Sequence, residues 1–431
     1  MLRRAVVSTL IPLQRQERRA INLAVQTRWP GNDRWGRITM SLVQKIWQRA
    51  RNALPVTGLH FTRPLVLFES DDWGRVGLRD HEGLEELQAA GLKLGEQPYD
   101  FYTLETAEDV AALNSTLKVH RDSGGRHPCL QMNFIVANLD FAKMRAADFR
   151  EIHLLALAEG LPQGWRRPGL IEAYREGIRD RVFHPAVHGT THFCPLSMQR
   201  NLAGDGERPH LIRTLWQAGT PYIFWRTPWI GYEYWDPEDK RFLHVETQQQ
   251  LIGHTVGAFA ALFRMLPGSA CAPGYRANDD THNAWARHGI RVAQNGPRAP
   301  MPPHFDRYGM LHISRTVEFE PAVDPNFSVE TCVRRAEASF ALGFPAVVCV
   351  HSINFHSTVK DFRSRTLQVL DEFLGAIESR HPDLLYLRDE ELYELLTKGS
   401  CQTLNGRAGA TQVRVIRKKF TKAEAMLQRE A

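Results

Sequence analysis

Residues 65–74 read Leu-Val-Leu-Phe-Glu-Ser-Asp-Asp-Trp-Gly, an apolar run that ends abruptly in two adjacent carboxylates. The run Leu65–Glu69 is short and almost continuously apolar, the pattern of a strand buried on both faces. Four further stretches have the same character: Cys129–Ala137, Phe183–Val187, the flanks of Ala270–Ala272, and Ala346–Val350. Between them lie segments with helical spacing of apolar residues, at 107–122, 146–161, 169–181, 279–288, 328–342 and 361–380. Short buried strands alternating with helices predict a mainly parallel sheet with helical crossovers. Over some 350 residues this favours an α/β fold of the distorted (β/α) barrel kind. The expected organisation is a basic N-terminal arm with helical patches over 1–60, a catalytic barrel over 61–404, and a basic polar tail over 405–431.

Charge is concentrated at the two ends. Residues 1–52 hold eleven Lys/Arg against Glu17 and Asp33, and residues 405–431 hold seven against Glu424 and Glu430. With a net charge of +6 for the whole chain, the stretch between them is about −8. The basic pI therefore belongs to the ends, and a nucleic-acid-binding body is not expected. The basic arm suits reversible contact with anionic membrane, a solvated extension, or an organellar transit segment. Ala5–Leu13 follows Arg3 and Arg4 in the manner of a signal sequence. It is short, contains Pro12, and is followed by Arg15, Arg18 and Arg19 in place of a small-residue cleavage site. No run approaches the roughly 20 apolar residues of a membrane span. The six cysteines are scattered without a C-x-x-C pair, so buried reduced thiols in the cytoplasm are expected, with peripheral attachment at the inner face of the membrane.

Three motifs follow three of the predicted strands, at the ends where parallel α/β folds bind ligands. Asp71 and Asp72, beside Trp73, are costly at the lip of a buried strand unless a cation or hydrogen bonds balance them. His188-Gly189-Thr190-Thr191-His192 follows Phe183–Val187, and histidines at i and i+4 share one face of a helical turn. With Asp72, two histidines and a carboxylate can converge, a common open set for catalytic zinc. His351 closes Ala346–Val350 and is followed by Ser352-Ile353-Asn354-Phe355-His356; beside a metal it becomes a candidate general acid. Residues 222–235 contain seven aromatics, Trp225 and Trp229 among them, which fits either stacking on pyranose rings or an ordinary core turn around Pro228.

In this order the motifs resemble those of the polysaccharide deacetylases, the carbohydrate esterases related to chitooligosaccharide deacetylases. The resemblance spans about residues 65–390. It implies Asp71 as general base, a divalent metal ion held by Asp72, His188 and His192 with zinc favoured, and His351 as general acid. It also implies that the Pro273-Gly274-Tyr275 loop offers the Tyr275 N–H to the oxyanion. Expected substrate contacts are Trp73, Pro273, Arg276, Trp225, Trp229 and Asn354. Departures are Glu-Ser before the Asp pair, Trp73 after it, Ala272 where the family has an Arg, and no evident Asp/Trp motif beside the general acid; Arg276 is the nearest substitute for the missing Arg. The implied activity is removal of N-acetyl groups from an amino-sugar polysaccharide or glycan precursor during exopolysaccharide synthesis. Two other readings are another metal-assisted amide or C–O hydrolysis, and a catalytically silent carbohydrate-binding protein.

Overall fold

In the computed structural model, residues 55–297, 300–399, 413 and 415–421 are described. Residues 1–54 of the arm expected over 1–60 lie outside them, as does most of the tail. The strands run in chain order β1 (Pro55–Phe61), β2 (Leu65–Trp73), β3 (Leu130–Phe134), β4 (Ala137–Leu139), β5 (Leu154–Ala156), β6 (Phe183–Val187), β7 (Trp235–Asp236) and β8 (Arg241–Phe242). They continue with β9 (Ser269–Cys271), β10 (Val292–Asn295), β11 (His304–Phe305), β12 (Leu311–Ser314), β13 (Val317–Glu318), β14 (Ala346–His351), β15 (Leu385–Tyr386) and β16 (Val415–Thr421).

The central sheet has the order β11-β12-β10-β9-β6-β3-β2-β14-β13, with β15 added at β2. All its pairings are parallel except β11 with β12. The α/β reading with mainly parallel strands therefore holds. Among the described residues no ladder joins β12 to β13. The chain itself spans that gap: Arg315 N–H donates to Asn295 on one side and Thr316 N–H to Val347 on the other. Residues 311–318 are thus one extended stretch that leaves β10 and joins β14.

Strand alternation sorts the side chains. On β2, Val66 and Phe68 face the main core beneath the helices, while Leu65 and Leu67 belong to a second apolar cluster with Val292, Leu311, Ile313 and Val347. That second face continues as Glu69 and Asp71, paired in register with Cys349 and His351 of β14. The inner face is therefore apolar at the start of the strands and polar at their C-terminal ends.

Several sequence expectations shift. β2 runs through Trp73, so both Asp residues sit on the strand. Cys129–Ala137 divides into β3 and the start of β4, which pairs with β5. The predicted helix over 146–161 is absent: a short helix Phe141–Ala146, capped by Asp140, ends where Asp148 and Phe149 turn left-handed. The chain then enters β5. Within the expected tail, β16 pairs antiparallel with β1, six of whose seven residues lie in the arm expected over 1–60. Cys129, Cys194, Cys271, Cys332 and Cys349 are unpaired and buried. Among the described residues, no helix is long and apolar enough to cross a membrane.

Candidate metal centre and its flanking dyads

Asp72 ends the polar face of β2 with φ of 74°, in the left-handed region that non-glycine residues rarely adopt. One carboxylate oxygen accepts from Arg75 at 3.2 Å. The other, Oδ1, is buried without a hydrogen-bond partner and lies 3.6 Å from His188 Nε2 and 3.5 Å from His192 Nε2. Four ligands at zinc-like bond lengths stand roughly 3.4 Å apart, so this spacing suits a shared cation better than a hydrogen bond. His188 Nδ1 lies 2.9 Å from the Cys271 carbonyl; it must be the protonated nitrogen there, which leaves Nε2 with its lone pair. Burial, aided by Arg75 and His188 against the pull of Asp72, pushes His192 down to about 3, so its ring is neutral and able to ligate. The residues present fit a divalent ion.

A second grouping, Asp71 with His188 and Cys271, is also compact. It is poorer in chemistry. Burial and the neighbouring Asp71 carboxylate push the Cys271 thiol far up, and both Asp71 oxygens are already engaged by a cation.

The two histidines do not share a helical turn. Residues 188–192 form an irregular bend, gathered by Glu233, a buried carboxylate that accepts from the N–H groups of Thr190, Thr191 and His192 at 2.7–3.3 Å. His192 is thereby held at φ 73°. Gly189, at φ 106°, is required because a Cβ there would run into the Glu233 carboxylate.

Beside the centre, Asp71 is gripped by Arg315, with Nη1 at 2.6 Å and Nη2 at 2.7 Å, and by Asn133 Nδ2 at 2.7 Å. Although burial favours the neutral acid, Arg315 and the nearby histidines hold the Asp71 carboxyl well below the usual range. Arg315 is fully buried and also pairs with Glu69 at 2.7 Å. Arg276, the expected substitute for the missing Arg, lies instead over the Trp235 ring. Sequence reading missed Arg315 because Leu-His-Ile-Ser was too short and mixed to mark β12. The signal available was the alternation Leu311, Ile313, Arg315 onto one face.

His351 faces Asp71 across the register, Nε2 to Oδ2 at 3.8 Å, and its Nδ1 lies 2.7 Å from Glu320 Oε1. Burial would lower its pKa, but Glu320 and the two Asp residues outweigh that and push it up to about 9. Glu320, also missed in the sequence, is the carboxylate that meets His351 where no Asp/Trp motif was evident. Its second oxygen accepts from Asn354 Nδ2 at 2.6 Å. Asn354 is fully buried, so it positions Glu320 and is not a substrate contact. His356 is equally buried, facing Glu105 at 3.4 Å.

Other expected contacts are corrected. Trp73 is fully buried, donating to Ser70 and stacked on Phe355. Tyr275 N–H donates to Ala272 O at 2.8 Å, so it is not free for an oxyanion; its hydroxyl meets Arg315 at 2.9 Å. Pro273 is buried. Trp229 lies under Arg208, 5.2 Å from its guanidinium carbon. Trp225 is 60% exposed and meets Tyr99 edge-on at 6.5 Å. Tyr99 stacks on Tyr102, which with Tyr222 sandwiches Arg75. The aromatic segment is thus divided: Tyr222 and Tyr234 are core, while Trp225 lies at the surface.

No family model matches the chain, and no curated protein matches it. Among solved structures, a protein provisionally assigned as a glycoside hydrolase/deacetylase from Parabacteroides distasonis is 12% identical, with 85% of this chain and 80% of that chain covered and a TM-score of 0.45. One provisionally assigned as a polysaccharide deacetylase from Mycobacterium smegmatis is 12% identical over 78% of this chain and 90% of its own, TM-score 0.41. A family 4 carbohydrate esterase from Streptomyces lividans, in complex with acetate, is 13% identical over 75% and 91%, TM-score 0.30. Enzymes of α-glucan chemistry match at comparable scores. In these comparisons the chain is similar to polysaccharide deacetylases and family 4 carbohydrate esterases.

Proposed function

We propose that the chain is a divalent-metal-dependent hydrolase that removes N-acetyl groups from an amino-sugar-containing polysaccharide or glycan precursor. The observation that carries this reading is the orphaned Asp72 Oδ1 between His188 and His192, flanked by Asp71–Arg315 on one side and His351–Glu320 on the other. Zinc suits two imidazoles and one carboxylate. When bound there, such an ion supplies Lewis-acid polarisation of the acyl oxygen and acidifies water.

The chain's own groups divide the proton work. Asp71, kept ionised and fixed by Arg315 and Asn133, takes the proton of the attacking water. His351, protonated at neutral pH, gives its proton to the leaving nitrogen, the step on which cleavage of an amide depends. Trp225 and Tyr99 give the rim an apolar face for the sugar.

Acetate release should be measured on N-acetylated glucosamine oligomers and on O-acetylated xylose oligomers. Release from the first set is expected, and Asp71→Asn should lower it by at least the ~10²-fold typical of losing a general base. Metal binding without release from any acetylated oligomer would sink the reading.

A pH profile tests the His351–Glu320 pair. Because the folded pKa of His351 is raised, the acid form is present below about 9 and is lost as pH rises through that value; a bound cation opposes the carboxylates and draws the limb somewhat lower. Glu320→Gln removes the main support for the charged ring, so the alkaline limb of kcat/KM should move down by about 1–3 units. An unmoved limb would assign it to another group.

A further inference from the structure

A second set of ligating side chains lies outside the site just described, around β12. His282 on the helix Asp279–Arg287, Asp306 in the turn before β12, and His312 on β12 each present a donor atom, all within 4.8 Å of one another. His312 is on the face of β12 opposite Leu311, Ile313 and Arg315, so this cluster is not an extension of the inner face. We infer that His282, Asp306 and His312 form a second divalent-cation site, which ties the helix Asp279–Arg287 to β12.

Asp306 is prepared for the task. Its Oδ1 accepts from Tyr308 N and Met310 N at 2.8 and 2.9 Å, which fixes the carboxylate and directs Oδ2 at His312 Nε2, 3.3 Å away. That separation already matches the roughly 3.4 Å edge of a zinc-like tetrahedron. His282 meets His312 edge-on with ring centroids 4.7 Å apart, and His304 stacks on the other side of His312 at 5.1 Å. Imidazoles this close repel when protonated. Two imidazoles and one oriented carboxylate select zinc or a similar first-row ion over magnesium or calcium. His282 and Asp306 are half-buried, leaving coordination positions for water.

The site is distinct in place but not remote in consequence. Three residues beyond His312, the same strand delivers Arg315 to Asp71, and Asn295 Nδ2 lies 3.4 Å from His312 Nδ1. An ion here would fix the strand that positions the catalytic carboxylate.

The test counts zinc on the chelator-stripped full chain by titration calorimetry and by metal analysis after dialysis. Wild type should take up two ions per chain, and His188→Ala with His192→Ala one. His282→Asn with Asp306→Asn, both at half-buried positions, should also retain one. In the His188→Ala/His192→Ala background, zinc should still raise the melting temperature, and adding His282→Asn and Asp306→Asn should abolish that shift while leaving the metal-free melting temperature unchanged. Unchanged stoichiometry in the His282→Asn/Asp306→Asn variant would overturn the inference, as would a His188→Ala/His192→Ala variant that binds no zinc. One ion in wild type that is lost only with His282→Asn/Asp306→Asn would uphold this site and refute the Asp72 centre, so the two readings fail separately.

Discussion

Arg315→Met is expected to produce the largest single loss of stability, about 3–5 kcal/mol, the usual consequence of removing one partner of a buried ion pair. Arg315 is fully buried between Glu69 and Asp71, and without it two carboxylates remain in an interior that cannot solvate them. Burial and Asp389 already push Glu69 well above the ordinary range even with Arg315 present. The variant should relieve itself by taking up protons. Asp71 normally has a depressed pKa, so its contribution is present above the unfolded value and lost as pH falls. In Arg315→Met that contribution disappears, and because the uncompensated carboxylates take up protons as pH falls, the variant's deficit should be largest at neutral pH and smaller towards pH 4, where the wild-type contribution of Asp71 is still present. Urea denaturation of both proteins at several pH values measures this. A deficit independent of pH would mean that Arg315 acts through packing alone.

His188→Ala combined with His192→Ala should have the largest effect on turnover. The two rings supply two of the three protein ligands at the proposed centre, and Lewis-acid assistance is worth several kcal/mol, so activity should fall by roughly 10³-fold or more. Zinc uptake should fall by one ion per chain. The fold should persist, because the bend carrying both residues is gathered by Glu233 through backbone N–H groups and not through the rings. Retained uptake at full stoichiometry would place the ion at side chains that include neither histidine, which excludes the Asp71–His188–Cys271 grouping as well.

The polar side chains gathered at the candidate site are legible in the sequence where strong strands precede them. Leu65–Glu69 and Ala346–Val350 are nearly all apolar, so the Asp pair and His351 stood out at their ends. Arg315 and Glu320 were not legible, because β12 and β13 are four and two residues long. Their inward direction depends on a stretch of chain that changes partners between Asn295 and Val347. Local periodicity cannot report such a change. Trp73 and Asn354 were misread for a related reason: proximity in sequence to a ligand says nothing about which face of the strand a side chain takes. Trp73 turns towards Phe355 and Tyr174 in the core. Nor could spacing alone separate the helical turn expected at 188–192 from the bend that Glu233 imposes, since that carboxylate is 41 residues from His192.

Three of the eight non-glycine residues with positive φ among the described residues lie in this region. Asp72, His192 and Tyr275 all adopt positive φ, at 74°, 73° and 57°. Such residues typically cost about 1–3 kcal/mol each and persist where surrounding contacts over-determine them. Here the contacts are Tyr102 and Ser352 on the Asp72 carbonyl, Glu233 on His192 N–H, and Arg315 on the Tyr275 hydroxyl.

The central claim is that a cation at Asp72, His188 and His192 enables acyl hydrolysis by Asp71 and His351. It is tested most directly by acetate release from N-acetylated glucosamine oligomers, using the full chain as purified, after chelation, and after zinc is restored. Release that disappears on chelation, returns with zinc, and does not return in His188→Ala/His192→Ala is the predicted result. Release indifferent to chelation, or restored by zinc in that variant, would contradict the account.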